Sequence, residues 1–125
     1  MRRASELRAA KQAGKLPALR GIEGAHALDG NLERVAHFAA RGVVYLGLLH
    51  FSANQAGAPA FGWGRDDSRG LTAFGCELVE ELNSKRMMVD LAHINRRGFL
   101  EAAARSKSPV IVSHTGVSGV HPHWR

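Results

Sequence analysis

Cysteine and long apolar runs are almost missing from this sequence, and both absences restrict its class. The one cysteine, Cys76, excludes an internal disulfide, and no zinc-finger spacing of histidine and cysteine surrounds it. No apolar run approaches the roughly 20 residues that cross a bilayer, and no signal-peptide core follows the first residues. We therefore expect a cytoplasmic location and no transmembrane segment.

Acidic residues are also scarce, with 17 Lys and Arg against 11 Asp and Glu and a formal net charge of +6. Such an excess can indicate a nucleic-acid partner. Much of it lies in residues 1–20, where no aromatic side chains alternate with the basic ones as base-stacking platforms would require. This stretch is typical of a solvated helix face, with an organelle transit peptide as the alternative, and we expect no nucleic-acid partner.

What the sequence does contain is an alternation of helix-like and strand-like segments. Helix patterns cover residues 6–13, 31–41, 71–82 and 96–105, with Ser5, Asp29 or Asn31, and Asn95 as candidate N-caps and Gly14 and Gly42 as stops. Apolar strand patterns cover residues 18–23, 43–50, 87–93 and 110–114. The order predicts an α/β fold, a parallel sheet with helices packed outside it, in one domain over residues 1–125.

Each predicted strand ends in a residue that can bind a metal ion, namely Glu23, His50, His93 and His114. Carboxyl ends of parallel strands are where α/β proteins build their sites, and neighbouring strands lie about 4.8 Å apart. One histidine in this position would more often be structural, but three with a carboxylate favour a metal site or a histidine pair for acid-base work. Residues 51–69, after His50, have no period and predict an ordered functional loop.

Imidazole nitrogens and a carboxylate suit zinc or a similar divalent ion, and a glutamate can bridge two such ions. A metal ion lowers the pKa of bound water towards about 7, which supplies hydroxide at neutral pH. The residues thus predict a metal-dependent hydrolase or lyase. We expect Asp90 to orient a neighbouring histidine or backbone group, and we do not expect ligands among the other histidines, which are His26, His37, His121 and His123.

Five motifs resemble, in their order, the membrane dipeptidase (renal dipeptidase) family of dizinc hydrolases. They are Gly21-Ile22-Glu23-Gly24-Ala25-His26, the run 45–50, Gly70-Leu71-Thr72-Ala73-Phe74-Gly75, the run 87–93 and Val112-Ser113-His114. The resemblance covers nearly the whole chain and implies a dipeptide substrate and two Zn²⁺ ions. It implies that Glu23 bridges both ions and that His93 and His114 bind the second one. It further implies that His50 steadies the carbonyl oxygen or tetrahedral intermediate and that Arg125 binds the terminal carboxylate of the substrate.

Two parts of that family's site have no counterpart in this sequence. The His-x-Asp pair that binds the first zinc ion occurs nowhere in the chain, and the aspartate used in proton transfer comes from a later strand. The resemblance therefore implies an incomplete (β/α)8 TIM-barrel-like fold, about four βα units of a barrel that needs about 250 residues. The expected function is a zinc-dependent dipeptidase that is inactive as a short segment. The alternative is a non-catalytic remnant that binds a metal ion or partner chain, with exposed sheet edges that favour a homo-oligomer.

Overall fold

Three parallel strands form the centre of the fold and are hydrogen-bonded in the order β1-β2-β3. The structure, a computed structural model, describes residues 3–122. The strands are β1 (Arg20–Ile22), β2 (Val43–Gly47) and β3 (Met88–Asp90). The helices are α1 (Ala4–Gln12), α2 (Glu33–Ala40), α3 (Ala73–Ser84) and α4 (Arg96–Arg105), with a short 3-10 helix at Ala25–Leu28. The predicted α/β class and parallel strand order are confirmed.

The fourth predicted strand, residues 110–114, is reduced to a single parallel bridge between Ile111 and Asp90. Ile111 accepts from the amide of Leu91 and donates to the carbonyl of Val89, both at 2.9 Å. The ladder stops there because the next inward-pointing amide, that of Ser113, donates to the side chain of Asp90 at 3.0 Å instead of to a backbone carbonyl. The expectation of four full strands was therefore wrong by one strand.

The other strands are also shorter than predicted, since β2 ends at Gly47 and β3 at Asp90. His50 and His93 consequently lie in the turns that follow the strands. Pairing continues irregularly past the strand ends, because the amide of Leu48 donates to the carbonyl of Asp90 at 3.2 Å. The edge of the sheet at which these turns meet is nevertheless the one predicted.

Helix boundaries follow the expected capping residues in most places. Gly14 and Gly42 have φ angles of 68° and 86° and end α1 and α2, as only glycine does without strain. Asn95 caps α4 by accepting from the amide of Gly98 at 2.8 Å. Ser5 was wrongly expected to cap α1, because the helix begins at Ala4, two residues before the predicted start at Glu6, and its N-cap is Arg3.

The core is apolar and packs the helices against the sheet. Its fully buried side chains include Leu46 of β2, Val89 of β3 and residues from α2, α3 and α4, namely Val35, Leu78, Val79, Leu82 and Ala102. Among the described residues no helix is both long and apolar enough to cross a membrane. The core thus gives the sheet a rigid base from which the turns at its carboxyl edge project.

The loop at residues 51–69 is ordered, as predicted, and is tied to the turn after β3. The amide of Ala60 donates to the carbonyl of His93 at 2.7 Å, and the amide of Asn95 donates to the carbonyl of Ala58 at 3.2 Å. The side-chain amide of Asn95 donates to the carbonyls of Asp66 and Arg69, both at 2.7 Å. The loop and the end of β3 are therefore held as one unit.

Candidate metal centre

Glu23 directly follows β1 and stands at the edge of the sheet, with 48% of its side chain exposed. The chain turns sharply after it through Gly24, whose φ is 89°. A Cβ atom at Gly24 would lie 2.8 Å from Nδ1 of His26 and 3.3 Å from Cβ of His50. Glycine is required here both for the backbone angle and for the close approach of the β2 turn.

His50 and His93 reach the same point from the turns after β2 and β3. Their rings are 4.7 Å apart and nearly perpendicular. His93 has a left-handed φ of 69°, and only 2% of its side chain is exposed. This backbone conformation turns the chain back over the strand end, so that the imidazole faces Glu23.

Three imidazoles converge on one carboxylate oxygen. Oε1 of Glu23 lies 2.8 Å from Nε2 of His93, 3.1 Å from Nε2 of His114 and 3.6 Å from Nε2 of His50. Nε2 of His93 also lies 2.8 Å from Nε2 of His114. The structure thus brings together all four described residues that were predicted for the site.

The four residues form two overlapping sets. Glu23, His50 and His93 offer candidate ligand atoms that all lie within 4.8 Å of one another. Glu23, His93 and His114 make the shorter contacts, in keeping with the expectation of His114 as a ligand and of His50 as a neighbour of the ion. The pair Glu23 and His93 is common to both sets.

The donor set fits a divalent cation. Two imidazole nitrogens that face each other at 2.8 Å must share a proton or a cation, because their lone pairs otherwise repel. With a carboxylate oxygen beside them, they are the nitrogen and oxygen ligands that zinc takes in proteins. Glu23, His93 and His114 could therefore hold such an ion, with His50 beside it.

The electrostatics of Glu23 suit a ligand. Burial would raise the pKa of its carboxyl, but the hydrogen bond from His93 and the electrostatic interactions with His50 and His114 outweigh burial and lower the pKa below its usual value. The carboxylate is thus ionised at neutral pH.

A buried acid supports this group from behind. Asp90, 1% exposed, accepts from the amides of Ala92 and Ser113 at 3.1 and 3.0 Å and from Oγ of Ser113 at 2.6 Å. Oγ of Ser113 lies 2.9 Å from Nδ1 of His114. These contacts agree with the expectation that Asp90 holds neighbouring backbone groups, and Ser113 links its carboxylate to His114.

Sequence reasoning missed the parts that Ser113 and Phe51 have in this group. The ring of Phe51 lies 4.5 Å from that of His50 and 4.8 Å from that of His93. Each residue adjoins a strand-end histidine in the sequence, and that adjacency was the signal available.

The remaining histidines that the structure describes have other polar partners or are exposed. Nε2 of His26 is 2.9 Å from Oγ of Ser52, and Nδ1 of His37 is 2.8 Å from the guanidinium of Arg41. His121 is exposed near the end of the described chain. Arg125, predicted to bind substrate, and His123 lie outside the described residues.

Histidines and a carboxylate gathered at the carboxyl ends of parallel strands are typical of the metal sites of α/β enzymes. The profile of the family described as Membrane dipeptidase (Peptidase family M19) matches residues 1–125. The chain belongs to this family, as its motifs predicted.

Relatives and solved structures agree with that assignment. An uncharacterized dipeptidase of Schizosaccharomyces pombe is 36% identical over 113 residues, which are 90% of this chain and 27% of the relative. An uncharacterized protein of Klebsiella pneumoniae is 32% identical over 107 residues, 83% of this chain and 40% of the relative. The chain therefore spans well under half the length of these curated relatives.

Two crystal structures have the same fold over essentially the whole chain. An amidohydrolase from Pseudomonas aeruginosa superposes with a TM-score of 0.87 at 32% identity, covering 99% of this chain and 37% of that one. A metallo peptidase from Rhodobacter sphaeroides, liganded with a phosphinate mimic of the dipeptide L-Ala-D-Ala, superposes with a TM-score of 0.82 at 30% identity, covering 100% and 36%. The chain thus matches about a third of barrel-type enzymes, as an incomplete barrel should.

Proposed function

We propose that this chain supplies part of the active site of a zinc-dependent dipeptidase. The observation that carries the proposal is the convergence of three imidazole nitrogens on Oε1 of Glu23, at 2.8, 3.1 and 3.6 Å. A zinc ion bound there would supply hydroxide at neutral pH and polarise a scissile carbonyl.

In this proposal Glu23, His93 and His114 are the metal ligands. Oε1 of Glu23 faces the histidines, and Glu23 would be the ligand shared with a second ion. His93 is the most constrained ligand, because its buried ring contacts both Glu23 and His114 through the same nitrogen. The ionised state of Glu23 favours a cation at this point over an anion.

His50 and Arg125 are proposed to bind substrate. The imidazole of His50 is 42% exposed and lies at the rim of the cluster, where it can donate to an oxygen that gains charge during cleavage. Arg125, as a permanent cation with a planar set of donors, would pair with the terminal carboxylate of the substrate. In a dipeptide the free carboxylate lies one residue from the scissile bond, whereas an internal peptide bond of a longer chain has no carboxylate in that position.

Dipeptides are proposed as substrates because relatives of the chain carry that activity in their names. The S. pombe relative is called a dipeptidase, and the Rhodobacter metallo peptidase is bound to a dipeptide mimic. The sequence contains no His-x-Asp pair, so the ligands of a first ion must come from outside these residues. We therefore expect negligible dipeptide hydrolysis by the 125 residues alone and hydrolysis by the same segment within a complete barrel.

The test is release of free amino acids from simple dipeptides with added zinc, for the short chain and for a completed barrel. In the barrel, Glu23→Gln should abolish turnover because one ligand oxygen and the charge are lost. Arg125→Ala should mainly raise KM, since it removes a contact made in ground and transition states alike. His37→Ala, which alters a histidine on α2 away from the cluster, is the control and should stay active. Full activity of the Glu23→Gln barrel would exclude this mechanism.

A non-catalytic remnant that binds a metal ion or a second copy of the chain is the second candidate. The exposure of Val117 and Val120, in the irregular segment after His114, at 62% and 86%, favours it because exposed apolar side chains invite a partner. A completed barrel that binds zinc but releases no amino acid from any dipeptide would favour this candidate over the first.

A further inference from the structure

The segment that carries His114 lacks the backbone support that the other site residues have. One bridge at Ile111 attaches it to β3, and no further ladder bond forms towards the histidine within the described residues. The side chain of His114 is 44% exposed. Its place in the site must therefore be set by something other than strand pairing.

Asp90 supplies the fixed point. It pairs with Gly47 in the β2-β3 ladder and is 1% exposed. Its carboxylate accepts from the amide of Ala92 at 3.1 Å and from both the amide and the hydroxyl of Ser113. Two bonds to one residue hold Ser113 against the end of β3.

The proton count in this chain of contacts determines the tautomer of His114. The single hydroxyl proton of Ser113 is donated to Oδ2 of Asp90 at 2.6 Å. At the 2.9 Å contact with Nδ1 of His114, Oγ of Ser113 can then only accept. Nδ1 of His114 must carry the proton, which leaves the lone pair of its ring on Nε2.

That lone pair points into the site, where Nε2 of His114 lies 2.8 Å from Nε2 of His93 and 3.1 Å from Oε1 of Glu23. We propose that Asp90 and Ser113 are positioning residues, which fix the orientation of His114 and its Nδ1–H tautomer so that Nε2 can bind the cation. This inference rests on the proposed function, because it assigns a task to two residues behind the proposed metal ligands.

The first test measures the tautomer in the metal-free chain. Imidazole ¹⁵N shifts are recorded for the wild type, with the His114 signals assigned by their loss in His114→Ala. We expect the Nδ1–H form in the wild type and in Ser113→Thr, which keeps the hydroxyl. In Ser113→Ala we expect a mixture with the Nε2–H form. A wild-type His114 that is mainly Nε2–H would overturn the proposal whether or not any variant folds.

The second test measures zinc affinity by competition with a chelating indicator. Ser113→Ala should bind zinc about 10- to 100-fold more weakly than the wild type, as expected for loss of a residue that orients a ligand. Ser113→Thr should bind close to the wild type, as should Ser84→Ala, a control that removes a hydroxyl at the end of α3. Equal affinity of Ser113→Ala and the wild type would overturn the positioning role and leave the metal site intact. No zinc binding by the wild type would instead refute the proposed function, while the tautomer result would still decide the arrangement of His114.

Discussion

His93 is the residue at which strain and the proposed function coincide. It is buried, has a φ of 69° and makes contacts of 2.8 Å with both Glu23 and His114. A left-handed backbone costs a residue other than glycine about 1–2 kcal/mol. The loop offsets that cost, because the carbonyl of His93 accepts from the amide of Ala60 at 2.7 Å. Backbone strain that persists beside a cluster of candidate ligand atoms favours a functional role for His93.

The strain predicts a difference between two variants that both remove the imidazole. His93→Gly should have a free energy of unfolding about 1 kcal/mol higher than His93→Ala, because only glycine adopts this φ without penalty. Urea denaturation measures both values. At His37, in the middle of α2, the same pair should have the opposite order, since glycine costs about 1 kcal/mol relative to alanine in a helix. The same order at both positions would show that His93 is not strained.

The site could be predicted in part at this scale. Glu23, His50, His93 and His114 were identifiable because each closes an apolar run, and ends of parallel strands share one edge. The left-handed turn at His93 and the link from Ser113 to Asp90 were not, since each depends on a contact between distant parts of the chain. Sequence alternation shows where a strand ends but not how the next turn is held.

At the scale of elements, the start of α3 supports the loop that follows His50. The hydroxyl of Thr72 accepts from the amide of Gly75 at 3.0 Å and donates to the carbonyl of Gln55. The amide of Thr72 donates to the carbonyl of Ala56 at 3.1 Å. A Cβ atom at Gly75 would lie 2.2 Å from that carbonyl oxygen. The helix can approach the loop this closely only because residue 75 is glycine.

Gly75→Ala should therefore destabilise the fold by about 1–3 kcal/mol, because the clash is with backbone and cannot be relieved by a side-chain rotation. Gly98→Ala in α4 is the matched control, since its Cβ would meet side-chain atoms and not backbone, namely Cδ1 of Ile94 at 2.8 Å and Oδ1 of Asn95 at 3.1 Å. There the gain of about 1 kcal/mol in helix propensity should offset the crowding. Urea unfolding compares the two, and equal destabilisation would contradict the close contact of α3 with the loop.

Glu101 joins α4 to the chain that enters α3, and its contacts predict a pH dependence. Its carboxylate accepts from the amide of Leu71 at 2.7 Å and from Arg97 at 3.0 Å. The bond from Leu71 first, and then that from Arg97, lower the pKa of Glu101 below its ordinary value of 4.5. A lowered pKa in the folded state stabilises the fold fully above the unfolded value, and the stabilisation disappears as pH falls through the folded value.

The advantage of the wild type over Glu101→Gln in free energy of unfolding should thus be largest at neutral pH and should shrink below pH 4.5. It should be small throughout, since the side chain is 40% exposed and water screens its charge. Chemical denaturation at a series of pH values measures it. A difference that does not change with pH would show that the charge of Glu101 does not stabilise the fold.

Helix ends were predicted well where a residue close in the sequence determines them. The fourth strand was predicted poorly because contacts with a residue distant in the sequence determine it. The ends of α1 and α2 follow from Gly14 and Gly42, and the start of α4 follows from Asn95, all within one turn of the helix. The fourth strand failed because its ladder is replaced beyond Ile111 by bonds to the side chain of Asp90. An apolar run alone could not show that replacement.

At the scale of the whole molecule, the alternation of helices and strands was sufficient to predict a parallel α/β sheet with its candidate site on one edge. The chain covers 37% of the Pseudomonas amidohydrolase and 36% of the Rhodobacter metallo peptidase. A site at the carboxyl edge of a barrel draws residues from several strands. The turns after the three strands bring Glu23, His50 and His93 to that edge, and the segment after Ile111 adds His114, a donor set that could hold one metal ion.

The central claim is that Glu23, His93 and His114 together bind a divalent ion, and equilibrium dialysis with zinc tests it most directly. The wild type and the His37→Ala control should each take up about one zinc ion per chain, since three protein ligands suffice for a site open to water. The His93→Ala, His114→Ala double variant should lose this uptake, because Glu23 is the only one of the three proposed ligands that it keeps. Equal uptake by the wild type and the double variant would contradict the claim.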